Sequence, residues 1–90
     1  MADLPPELQK YAAFLDAQPE LVRETFQYCL CLILVEAGKM QLVETVPDNS
    51  GIICTFETVA GDRFSIIQPQ INKEQETALI QMLKSKLDVT

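Results

Sequence analysis

An α+β fold follows from three observations on this sequence: a helical apolar stripe in the first half, β-type runs between turn residues in the middle, and a capped amphipathic helix at the end. The predicted order is ααβββα: two N-terminal helices, a three-stranded antiparallel β-meander and a C-terminal helix, in a single domain, 1–90. One alternative changes the count. It makes residues 29–36 a strand and gives a four-stranded meander.

Asp3, Pro5, Pro6 and Glu7 form a helix start: a capping carboxylate, prolines that need no amide hydrogen, and an acid in the first turn. Leu8, Tyr11, Ala12 and Leu15 then recur at helical spacing, and the helix is expected to end near Ala17, since Gln18 precedes Pro19. Pro19 and Glu20 open the second helix. Its stripe is Val22, Phe26, Cys29, Leu30, Ile33, Leu34 and Ala37, with Arg23, Glu24 and Gln27 opposite and Gly38 placed for a left-handed cap. Cys31, Leu32 and Val35 lie off that stripe and need cover from the first helix, the last helix or a second subunit.

Met40 to Val46 is the first predicted strand, closed by Pro47-Asp48-Asn49-Ser50-Gly51. Ile52 to Val59 and Arg63 to Gln68 follow, joined by a three-residue loop, Ala60-Gly61-Asp62, that sets Phe56 opposite Ile66. Ile52, Cys54, Phe56, Phe64 and Ile66 then share the core face. Val43, Ile53 and Ile67 fall on the back, among Gln41, Thr45, Thr55 and Ser65, while Glu44 leans toward the core by parity with Met40 and Leu42. Past Pro69, Asn72 and Gln75 match a capping box, and Ala78, Leu79, Met82, Leu83 and Leu87 make the buried stripe of the last helix.

A chain of ninety residues hides only roughly 60–65% of its unfolded surface. With 48% apolar residues, it has more to bury than a thin core absorbs, and the surplus implies a partner surface, most simply a second copy. The net charge is −6 and the seven bases are scattered, which argues against nucleic acid and anionic membrane. Three cysteines and a start without basic or long apolar character point to a reducing cytoplasm.

Catalytic chemistry has little to stand on. Histidine is absent, which removes the commonest general base near neutral pH. Cys29 and Cys31 point apart on a helix, and zinc wants four ligands, so no metal or other cofactor is expected. Cys29 and Cys54 read as small buried apolar residues. The three glycines form no phosphate-cradling loop.

The runs CTFETVAGDRFSIIQPQI (54–71) and NKEQETALIQMLKSKL (72–87) resemble small uncharacterised conserved proteins of cyanobacteria. That resemblance covers the C-terminal 40% or so of the chain, carries no functional residue with it, and implies a bacterial cytosolic setting.

The expected function is that of a non-enzymatic protein–protein interaction module, homodimeric, serving as a small adaptor or regulatory protein. Its candidate interface is Val43, Ile53 and Ile67 on the sheet, with Cys31, Leu32 and Val35 on the helix. Two other readings stay open. One is a sensor domain for a small apolar ligand, its candidate pocket lined by Phe26, Leu30, Phe56 and Phe64. The other is an acidic, chaperone-like protein that lends a groove to a client segment.

Overall fold

A computed structural model describes residues 6–49 and 51–87; the Asp3 cap and Ser50 of the first turn lie outside the described residues. The order is α1 (Pro6–Gln9), α2 (Ala12–Asp16), α3 (Glu20–Glu36), β1 (Met40–Asp48), β2 (Gly51–Thr58), β3 (Arg63–Ile67) and α4 (Lys73–Lys86). The α+β fold predicted from the sequence is the fold observed, with residues 29–36 helical.

The first helical segment is broken into α1 and α2 at Lys10–Tyr11. The Tyr11 amide donates to the Leu8 carbonyl at 2.9 Å, a tight turn that keeps Leu8, Tyr11 and Leu15 all buried. Arg23 fastens this segment to α3. Its guanidinium donates to the carbonyls of Leu15 (3.1 Å) and Gln18 (3.2 Å), at and just past the C-terminal end of α2.

α3 is the centre of the molecule, touching α2, β1, β3 and α4. Tyr28, Cys29, Leu30, Cys31, Ile33 and Leu34 are all buried, so the middle of the helix is covered on nearly every side. The ends of the predicted stripe are not: Val22 is 37% exposed and Ala37 is exposed too, because only the middle turns are enclosed by other elements. The helix stops in a Schellman motif. The Gly38 amide donates to the Val35 carbonyl (3.0 Å) and the Lys39 amide to the Leu34 carbonyl (2.9 Å), with Gly38 at φ 78°. That reversal delivers the chain directly into β1.

The sheet order is β1-β2-β3, antiparallel throughout. Two details depart from expectation. Leu42 faces Phe56 while Glu44 faces Thr55, so Val43 is the extra residue of a β-bulge. Beyond it the sidedness of β1 is inverted: Glu44 leaves the core parity and Val46 comes to lie opposite Ile53 on the back, while Thr45 joins the Cys54 side. The bulge sets Glu44 in the polar row of Thr55 and Ser65 on the back of the sheet.

The second departure is in the loop between β2 and β3. Its three residues are Val59, Ala60 and Gly61, one position earlier than expected, with the Gly61 amide donating to the Thr58 carbonyl and the Thr58 amide to the Asp62 carbonyl, both at 2.9 Å. Gly61, at φ 94°, takes the left-handed third position that such a loop requires. Phe56 therefore faces Phe64 instead of Ile66, though both aromatics stay on the helix side, stacked at 5.8 Å.

β1 runs through Pro47 to Asp48, which a strand at the sheet edge tolerates. α4 carries the full capping box: the Gln75 amide donates to Asn72 Oδ1 (2.7 Å) and the Asn72 amide to Gln75 Oε1 (3.1 Å). Leu83 is its buried anchor, with Leu79, Ile80, Met82 and Leu87 half-buried beside it. Ala78 is exposed and Ile80 takes the place expected for it.

Candidate interaction surface

The helices occupy one face of the sheet, and there Cys54 and Phe56 are buried with Met40. The other face, here called the outer face, is built from three cross-strand rows. Gln41, Glu57 and Arg63 form the first, Glu44, Thr55 and Ser65 the second, and Val46, Ile53 and Ile67 the third. Side chains directly opposite on one face of antiparallel strands are neighbours, so each row is a physical unit.

Two rows are polar and internally bonded. Arg63 Nε donates to Glu57 Oε2 at 3.0 Å, and the Thr55 and Ser65 hydroxyls share a hydrogen bond of 2.8 Å. The third row is apolar across all three strands. Val46 is 41% exposed and Ile67 39%, with Ile53 half-buried between them. On the helix side of the same hairpin, Leu42 and Ile52 are exposed as well, so Ile52, expected in the core, sits at its rim.

The residues singled out from sequence separate into four groups. Ile53 and Ile67 come together in the apolar row, where Val46 completes it. Val43 is half-buried and, as the bulge residue, belongs to no row. Cys31 is fully buried within the chain and takes no part in any exterior surface, a correction to its expected role. Leu32 and Val35 are half-buried against the core and line separate clefts.

The expected ligand pocket is filled by its own lining. Leu30 and Phe56 are 0% exposed, Phe56 stacks on Phe64, and Phe26 turns toward Phe14 at 5.7 Å. Open clefts occur elsewhere. One of about 550 Å³ lies between the α3–β1 turn and the β2 end, beside Val35, Met40, Gln41 and Glu57. Another, of about 400 Å³, lies between α3 and α4, bridged by the Lys84–Glu36 ion pair at 3.0 Å.

None of the three thiols lines either cleft. The thiols are all free and buried, and burial pushes Cys29 up to about 11 and Cys31 up to about 12. Cys54 is raised for the same reason. A neutral, enclosed thiol is a poor nucleophile. Among the described residues no group of three or more acidic or cysteine side chains could hold a metal ion, and no helix is long and apolar enough to cross a membrane. No family model, curated protein or solved structure matches the chain.

Val46 was missed in the sequence because strict alternation assigns it to the core side. The signal that could have found it is Glu44, a charged residue that strict alternation sets on the side of Met40 and Leu42.

Proposed function

We propose that this chain is a non-enzymatic protein–protein interaction module, a small adaptor or regulatory protein that acts as a homodimer in a bacterial cytosol. The carrying observation is the apolar row Val46–Ile53–Ile67, in register across all three strands on the face away from the helices, with Val46 and Ile67 exposed and Ile53 half-buried. Covering this row removes apolar surface from water at about 25 cal/mol per Å². Sedimentation equilibrium at micromolar concentration tests the reading. A mass of twice 10.1 kDa supports it, and a clean monomer up to about 200 μM, where weak transient interfaces still associate, removes its main support.

A further inference from the structure

We propose that the free edge of β3 takes up an extended segment of a partner protein as a fourth, antiparallel strand, with an aliphatic residue opposite Ile67 and an acid opposite Arg63. This deepens the reading of the chain as an interaction module and rests on it.

β3 is five residues long, with β2 on one side and no described element running along the other. The ladder fixes which of its backbone groups are engaged. The Gln68 amide donates to the Ile52 carbonyl at 2.7 Å, and the Thr58 amide to the Asp62 carbonyl at 2.9 Å. Bonded pairs alternate along an antiparallel ladder, so Phe64 and Ile66 also turn toward β2, opposite Phe56 and Cys54. Arg63, Ser65 and Ile67 therefore turn their amides and carbonyls outward, and among the described residues no hydrogen bond reaches those groups. Such a row is a template for another strand. The opposite edge of the sheet is closed to that use: β1 carries the Val43 bulge, and Pro47 has no amide to donate.

The rows of the sheet set the chemistry of the occupant. A strand added antiparallel to β3 meets the same side chains that β2 meets. On the outer face these are Ile67, Ser65 and Arg63, and on the helix side Ile66 and Phe64, both half-buried. β2 answers them with Ile53 against Ile67, a Thr55 hydroxyl bonded to Ser65 at 2.8 Å, and the Glu57 carboxylate on Arg63 at 3.0 Å. Cys54 and Phe56 supply the apolar residues between. The free edge fits the same order: aliphatic, apolar, Ser or Thr, apolar, acid. The aliphatic residue carries the Val46–Ile53–Ile67 row onto a fourth strand. The acid meets the far side of Arg63, whose side chain is 63% exposed and gives Glu57 its Nε while the guanidinium has further donors. The β3 of a second copy fits less well. Paired about a two-fold axis at Ser65, it sets each Arg63 against an isoleucine and leaves the charge unanswered.

The test is amide hydrogen exchange of the full chain, followed by NMR, with and without the end-blocked synthetic peptide Ile-Val-Thr-Phe-Glu. At about 90% occupancy the amides of Arg63, Ser65 and Ile67 are expected to slow about tenfold, since they exchange only through the free fraction, while those of β1 are unchanged. Ser65→Pro removes one outward amide without touching the β2 ladder, as Pro47 does on β1, and is expected to abolish binding in a chain that circular dichroism shows to be folded. Arg63→Glu, at an exposed position, carries the test if that variant does not fold. The wild-type chain is expected to favour the Glu-ended peptide over a Lys-ended one about threefold, the reach of an exposed ion pair, and Arg63→Glu to reverse the order. No binding below about 1 mM, the weak end of the affinity scale, overturns the site, and so does slowing at β1 in place of β3. Equal binding of the two peptides to the wild-type chain overturns the acid. A wild-type dimer that Ser65→Pro abolishes overturns the peptide as occupant in favour of a second copy. The dimer reading itself falls only with the sedimentation result above, so the two fail separately.

Discussion

Tyr11 is buried to 5% exposure, and its hydroxyl finds no hydrogen-bond partner among the described residues. Its ring does useful work, packing with Leu8 and Leu15 and lying 5.2 Å beneath the Lys10 ammonium. The hydroxyl adds only a desolvated polar group, whose burial costs about 1–3 kcal/mol. Tyr11→Phe is therefore expected to leave unfolding free energy unchanged or to raise it by about 1 kcal/mol. Urea denaturation checks this, and a loss of comparable size would show that the hydroxyl is bonded in solution. The same scale explains which core residues were legible. Leu8, Tyr11 and Leu15, with Cys29, Leu30 and Leu34, follow from spacing alone, because spacing reports which residues share a helix face. Val22, Ala37 and Ala78 match the spacing equally well and are exposed. Spacing says nothing about how far along a helix its neighbours reach.

At the level of elements, helices and strands were legible where local chemistry decides them. The Asn72–Gln75 box starts α4, and Asn72→Ala removes one of its two bonds. The expected loss is about 1 kcal/mol, seen as a lower urea midpoint with an unchanged slope. Gly38 likewise announced the end of α3, since its φ of 78° suits glycine far better than any L side chain. Strand register was less legible. The choice between an Ala60–Asp62 loop and the observed Val59–Gly61 loop turns on one residue, and both keep Phe56 and Phe64 together. The bulge at Val43 was illegible because it is fixed by agreement between two strands rather than by either alone. For that reason the candidate surface was half found: Ile53 and Ile67 were named, and Val46 was displaced to the wrong side.

For the molecule as a whole, the buried thiols predict how stability depends on pH. Burial holds Cys29 at about 11 and Cys31 at about 12, against an ordinary 9.0. In the unfolded chain both ionise first, so unfolding releases protons at high pH. Their contribution is complete below about pH 8.5 and declines as pH rises toward the folded values. The slope approaches roughly 1.4 kcal/mol per pH unit for each thiol. Tyr28, also raised by burial, adds a loss of the same sign at still higher pH. With no histidine in the chain, no side chain of that type interrupts the neutral range. Denaturation series at pH 7, 9 and 10.5 should show a stability that holds to about 9 and then falls; a rise above pH 9 would contradict the assignment.

Val43 corresponds to a single codon of the gene. Because the bulge already aligns Leu42 with Phe56 and Glu44 with Thr55, loss of this single codon would leave every cross-strand partner in place. The shortened chain should fold with nearly the same melting temperature, yet it would carry a continuous outer strand from Met40 to Val46. Light scattering at high concentration should then reveal ordered growth that the parent chain does not support. A deletion silent for the fold would surface only in the company the molecule keeps.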